Sequence, residues 1–216
     1  MTPPPGPSSG VPMIRTLTVV SLLCGVLIVV TEVNTRGRIR HNQEIIMQES
    51  VAQLLPGIRK QITYAIEPSG DLTILSGVQG EGPRLFAGYD AGGRFLGVVI
   101  ETSDRGYADV ISSLYAYDPD KRAITGFKVV DMKETPGLGN RIGTDPEFAA
   151  NFKDLDATEG HPITAVKHGA KKNPWEIDAI SGATISSRAV GRMLEKGVRS
   201  TAPVIARNLD RIKRGE

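Results

Sequence analysis

The chain has 216 residues, a formal net charge of +2, a single cysteine and three histidines. That length allows one ordinary domain with additions, and the near-neutral balance gives no case for nucleic acid, whose binders carry a basic face. Cys24 has no partner thiol, and His41, His161 and His168 fall at no ligand spacing, so a disulfide, an iron–sulfur cluster and a zinc site all lack their residues.

Residues 1–12, "MTPPPGPSSGVP", are rich in Pro, Gly and Ser and are expected to remain a disordered tail. A single transmembrane helix is expected over 13–34, because no charge occurs from Thr16 to Thr31 between Arg15 and Glu32. At helical rise that core spans roughly 24 Å, against about 30 Å of bilayer hydrocarbon. Arg15 can snorkel, and Pro12 to Ile14 and Val33 lengthen the apolar stretch. "VVTEVNTRGR" offers no small-residue cleavage site, which favours an uncleaved anchor over a removed signal peptide. Arg15 alone precedes the segment, whereas Arg36, Arg38 and Arg40 follow it. By charge alone, the larger C-terminal part would stay in the cytoplasm.

A linking helix is expected over 35–57, with Ile45, Ile46, Val51, Leu54 and Leu55 on its apolar side and Pro56-Gly57 as its stop. Three short strand-like runs follow, "DLTILSGV", "RLFAGYD" and "RFLGVVIE". "ISSLYAYDPDKRAITGFKVVDM" reads as a hairpin about Asp118-Pro119-Asp120, with a broken alternation through Leu114, Ile124, Phe127 and Val129. "DPEFAANF" reads as a short helix capped by Asp145, with Pro146 at its first position. "PITAVKH" is a further strand, and a last helix runs from Thr184 to about Arg214, with a kink or split expected at Pro203. The fold class is α+β: an N-terminal membrane helix, then a small mixed α/β domain over 58–200, then a C-terminal helical tail over 201–216.

Two loops carry the chemistry. "IDAISGATISSRAV" gathers Ser181, Gly182, Ala183, Thr184, Ser186 and Ser187 at the mouth of the last helix, with Asp178 just upstream. A helix N-terminus presents unpaired N–H groups with partial positive charge and suits a phosphate. An ordinary cap by Ser181 or Thr184 also accounts for the hydroxyls, but it leaves Gly182-Ala183 without a reason. "KETPGLG" contains Thr135-Pro136-Gly137, which favours a type II turn with Gly137 at positive φ. A tight turn is again the simple reading. Gly137 and Gly139 about Leu138, preceded by Glu134, also make a flat wall able to face an aromatic ring system.

These two stretches resemble the FMN-binding domain family. "DAISGATISSRAV" is similar to that family's covalent flavin attachment motif, in which the FMN phosphate is esterified to the threonine. The resemblance implies Thr184 as the acceptor, with Asp178, Ser181, Gly182 and Ala183 completing the sequence read by a flavin transferase. "KETPGLG" resembles the flavin-wall loop, which implies roles for Glu134, Thr135, Gly137, Leu138 and Gly139. Within the family, the likeness runs to the G subunits of Rnf ion-translocating electron-transport complexes, with the C subunits of sodium-translocating NADH:quinone reductases as the related group. It extends from Met13 to about Arg199. "GYADVI" departs from a Gly-Tyr-x-Gly-Pro-Ile-like stretch at Asp109 and Val110 but keeps Tyr107. Lys167 is a further candidate beside the flavin, although a lone lysine is more often a solvated charge.

The resemblance implies a flavin electron carrier without catalytic activity of its own, anchored by a single pass in the inner (cytoplasmic) membrane within a larger translocase. It implies partner subunits with their own redox centres and a periplasmic FMN domain, against the charge count. The other reading is a non-redox anchored scaffold or binding module.

Overall fold

The computed structural model describes residues 10–67, 70–75 and 84–215. The first nine residues of the expected tail, and the end of "DLTILSGV", lie outside them. Helix α1 (Val11–Leu54) is continuous, and the division into two compact units falls within it, between Ile45 and Ile46. The segments expected as membrane helix and linking helix are one element, with no helical hydrogen bonding interrupted between them.

Up to Ile45 the segment is helical, with an uncharged apolar run between Arg15 and Glu32. Its large apolar side chains from Val11 to Val33 are 50–72% exposed. It is the one helix among the described residues that is long and apolar enough to cross a membrane. The hydroxyls of Thr16, Thr18 and Thr31 donate to the carbonyls of Pro12, Ile14 and Leu27 at 2.7–2.9 Å. In hydrocarbon, where water is absent, polar groups need such internal partners.

From Ile46 the chain folds around one antiparallel sheet. Its strands are β1 (Lys60–Ile66), β2 (Leu72–Ile74), β3 (Arg84–Tyr89), β4 (Phe95–Arg105), β5 (Val110–Asp118), β6 (Ala123–Asp131) and β7 (Leu155–Asp156), in the order β2-β1-β3-β4-β5-β6-β7. The β5–β6 hairpin forms about Asp118, whose carboxylate accepts from the N–H groups of Asp120 and Lys121. Register shifts at Ser112/Ser113 and Ala116/Tyr117 account for its broken alternation. Asp145 caps the short helix α2 (Pro146–Ala150) by accepting from Glu147 and Phe148. Strands β8 (Thr164–Val166) and β9 (Glu176–Asp178) form a separate parallel pair.

Alternate residues of the central strands serve opposite faces. Leu85, Val98, Ile100, Tyr115 and Tyr117 enter the larger core, with Met193, Leu194 and Ile205 of α3 (Thr184–Arg214). Phe86, Val99, Leu114 and Ala116 enter the smaller one, with Val51 and Leu55. Glycines let Leu54 and Leu55 sit close to the strands. A β-carbon on Gly88 would lie 2.6 Å from Leu55 Cδ1, and one on Gly126 2.9 Å from Leu54 Cδ2. Helix α3 approaches by the same device, since a β-carbon on Gly197 would meet the Tyr115 hydroxyl at 2.9 Å.

Two further expectations change. Pro203 neither splits α3 nor ends the domain. It lies on the exposed face, where the Arg199 carbonyl it cannot bond can meet water. Thr201, Val204, Ile205 and Ile212 are buried, so residues 201–214 belong to the domain rather than to a tail. Likewise Val51 and Leu55 are core residues of the domain, which begins before residue 58.

Candidate functional site

The motif around Thr184 is a strand–turn–helix. Strand β9 ends at Asp178. Ala183 N–H then donates to the Ile180 carbonyl at 3.0 Å, closing a turn with Gly182 at φ +83°, and α3 begins at Thr184. Only a glycine takes that backbone without strain. The capping reading fails here. The N-cap residue is Ala183, and no side chain caps the helix. Ser187 closes the turn from inside, accepting from Ile180 N–H at 3.1 Å and donating to the Ala183 carbonyl at 2.9 Å. Thr184 is half-buried, Ser181 and Gly182 are exposed, and Ala183 is buried. The N–H groups of the first turn beside the threonine have no side-chain cap.

Asp178 is anchored rather than free. Its carboxylate accepts from Gly169 N–H at 2.7 Å and lies 3.4 Å from His168 Nδ1. Its backbone is held on both sides by Asn151, whose Oδ1 accepts from Asp178 N–H at 2.9 Å and whose amide donates to the Asp178 carbonyl at 3.3 Å. Asn151 stands apart from both motifs, and only its place after a capped helix hinted at an ordered role. Lys167 is exposed beside β8, with no ion pair among the described residues.

The second loop forms the expected turn. Leu138 N–H donates to the Thr135 carbonyl at 3.2 Å, with Gly137 at φ +76°, and Gly137 N–H donates to Asn140 Oδ1 at 2.8 Å. Leu138 is 51% exposed, and its Cδ2 would lie 3.3 Å from a β-carbon on Gly182. The two loops therefore meet at these residues. Ile185, at 51%, and Tyr107, at 65%, are further exposed apolar side chains, on the first turn of α3 and on the loop before β5.

Glu134 and Gly139 differ from the flat wall expected of them. Both are buried. The Glu134 carboxylate accepts from Tyr107 N–H at 3.0 Å, Ala108 N–H at 3.1 Å and the Ser186 hydroxyl at 2.6 Å. Gly139 faces that carboxylate: a β-carbon there would meet Glu134 Oε2 at 2.4 Å and Ser186 Oγ at 2.9 Å. Its bare backbone admits protein atoms. Thr135, Gly137 and Leu138 are the outward part of the loop. Among the described residues, no His, Cys, Asp and Glu side chains cluster as a metal site would require.

The start of α3 thus carries no side-chain cap, and Leu138 of the second loop lies beside it at Gly182. The sequence model of the FMN-binding domain matches residues 106–199, which include both loops. The chain is 31% identical over 189 residues to the G subunit of the ion-translocating oxidoreductase complex of Methanosarcina acetivorans, covering 86% of this chain and 91% of that protein. It is 28% identical over 180 residues to the corresponding G subunit of Cereibacter sphaeroides, covering 82% and 78%. Over 120 residues it is 30% identical to the C subunit of the Na(+)-translocating NADH-quinone reductase of Pasteurella multocida, covering 53% and 46%. In fold it resembles the crystal structure of Shewanella oneidensis NqrC, with a TM-score of 0.55 and 24% identity over 68% of this chain and 84% of that one. With an N-terminal apolar helix, a mixed α/β domain matched by the FMN-binding model, and nearly the whole Methanosarcina protein covered, this chain belongs to the family of G subunits of ion-translocating oxidoreductase complexes.

Proposed function

We propose that the chain is a membrane-anchored flavoprotein subunit of an ion-translocating electron-transport complex, carrying FMN through a phosphoester to Thr184. The observation that carries this reading is the half-buried Thr184 at a helix start without a side-chain cap, next to a turn approached by Leu138. The N–H groups of the first turn of α3 hold the phosphate, and Gly182 keeps the approach open. Leu138, Tyr107 and Ile185 offer apolar surface to the ring. Thr135 and Gly137 shape the outward turn, and Lys167 adds an exposed positive charge upstream of the motif. Bound FMN would supply the electron-carrying chemistry, with position and electrostatics left to the protein. No nucleophile or acid–base pair of the chain's own is required.

A flavin transferase makes the ester, reading Asp178 and Ser181-Gly182-Ala183 before Thr184. The anchor lies in the inner membrane as a single pass, with the domain on the periplasmic side, and other subunits supply and accept the electrons. The test is the intact mass of the native chain. An addition equal to FMN less one water, together with a yellow colour that survives denaturation, is the expected result. A native chain from a flavin-attaching host with the bare sequence mass overturns the covalent reading.

A further inference from the structure

We infer that Glu134 is a positioning residue: its carboxylate clamps the Tyr107-Ala108 turn and the first turn of α3 to the Thr135–Leu138 turn, making one rigid frame around Thr184. The inference deepens the reading of the site given above and rests on it for its relevance to flavin.

The geometry is that of a single acceptor with three donors. Oε1 takes the N–H groups of Tyr107 and Ala108 at 3.0 and 3.1 Å, and Oε2 takes the Ser186 hydroxyl at 2.6 Å. The side chain is buried, so water cannot replace these partners cheaply. Backbone has been cleared on both sides to admit the carboxylate. A β-carbon on Gly106 would lie 2.4 Å from Oε1 and one on Gly139 2.4 Å from Oε2. Two glycines from separate segments therefore face the two oxygens of one side chain. Ser186 follows Thr184 by two residues on the first turn of α3, and Tyr107 displays its ring while its N–H is held. Displacing Glu134 would free the Tyr107 loop and the helix start from each other.

Reach, rather than charge, is what this arrangement demands, and two variants separate them. Glu134→Gln keeps the length. Its carbonyl oxygen can take the two backbone N–H groups, and its amide can donate to Ser186, whose hydroxyl also accepts. Glu134→Asp keeps the charge but is one methylene short of spanning Oε1 and Oε2 partners together.

The experiment is hydrogen exchange, followed by mass spectrometry, on the full chain in detergent micelles, with and without attached flavin. Visible circular dichroism is recorded on the flavin-bearing form. At the amides of Tyr107 and Ala108, Glu134→Gln should exchange within about threefold of the parent, and Glu134→Asp and Glu134→Ala at least tenfold faster. The flavin dichroism should follow the same order. If Asp protects these amides and Gln does not, or if Ala exchanges like the parent, the clamp is refuted. Should Ala fail to fold, the Gln and Asp pair still decides. A parent chain that carries no flavin but shows the predicted exchange pattern refutes the attachment and leaves the clamp standing.

Discussion

Leu138 rests against the backbone of Gly182, joining two loops separated by 44 residues of sequence at one point. A β-carbon at 182 would come within 3.3 Å of Leu138 Cδ2, close enough to push the leucine by a few tenths of an ångström. Gly137 offers a control, since it has a similar left-handed φ of +76° and nothing within 4 Å of its would-be β-carbon. Each Gly→Ala change should cost about 1–2 kcal/mol through the backbone alone. Only Gly182→Ala should also displace Leu138 and alter the absorption of attached flavin. Urea melts and visible spectra of the two variants check this, and identical spectra would place Leu138 away from the ring.

Thr184→Ala should abolish the FMN mass while leaving the fold intact. Thr184 makes no capping bond, so the usual penalty of about 0.5–2 kcal/mol for losing a cap does not apply in full. Thr184→Ser retains the hydroxyl and should keep part of the attachment. Intact mass and thermal melting of both variants provide the measurement, and an alanine variant that still gains FMN would remove Thr184 as the acceptor.

Much of this was legible along the chain. The capped helix at Asp145, the hairpin about Asp118, the positive φ of Gly137 and the start of α3 all follow from local rules, because turn and cap chemistry is decided by neighbours a few residues apart. Strand β1 escaped although Ile62, Tyr64 and Ile66 alternate with Gln61, Thr63 and Ala65 and face the larger core; it lies between β2 and β3 in the sheet. The roles of Glu134, Gly139 and Asn151 were not legible. Glu134 bonds Ala108 and Ser186, 26 and 52 residues away, Asn151 bonds Asp178, 27 away, and Gly139 is shaped by the same Glu134–Ser186 pair, so none of these roles follows from a local pattern. The helix runs to Arg214 as expected and is not split at Pro203, because the burial of Val204, Ile205 and Ile212 carries it past the proline.

The glycine bed under Leu54 and Leu55 predicts a stability effect separate from flavin attachment. Leu55 is 6% exposed, so Leu55→Ala should cost about 2–5 kcal/mol. Gly88→Ala, aimed at Leu55 Cδ1 from 2.6 Å, should cost about 1–3 kcal/mol by overpacking. Their combination should be non-additive, because the smaller residue at 55 makes room for the methyl at 88. Chemical denaturation of the two single variants and the double variant measures the coupling. Simple additivity would mean that the two residues do not touch.

Asp145 gives a pH dependence with a definite sign. The Phe148 N–H bond, then the Arg141 side chain, hold its carboxyl below the ordinary value of 3.8. A group depressed in the folded state contributes stability above its unfolded value and loses it as pH falls through the folded one. Its contribution should therefore be constant near neutrality and disappear below about pH 4. Asp145→Asn should lower stability at pH 7 and flatten the acid limb of the curve. Melting temperatures of the two proteins from pH 7 to pH 3 check it; parallel curves would assign the acid sensitivity to other carboxylates.

The orientation of the anchor is the remaining prediction. The tail before Arg15 should lie in the cytoplasm, with everything after Val33 across the membrane. The domain contains no cysteine, so an oxidising compartment imposes nothing on it. Against this orientation stand Arg36, Arg38 and Arg40, which the positive-inside rule keeps inside. Arg36 pairs with Glu32 at 2.7 Å, and a paired arginine crosses hydrocarbon at lower cost than a lone one. Helix contacts with partner subunits during assembly would have to outweigh what remains. Reporter fusions after Glu216 decide the matter. Alkaline phosphatase should be active there, and a green fluorescent protein exported by the same route should stay dark. The opposite pair of signals would put the domain, and any electrons it carries, on the cytoplasmic side.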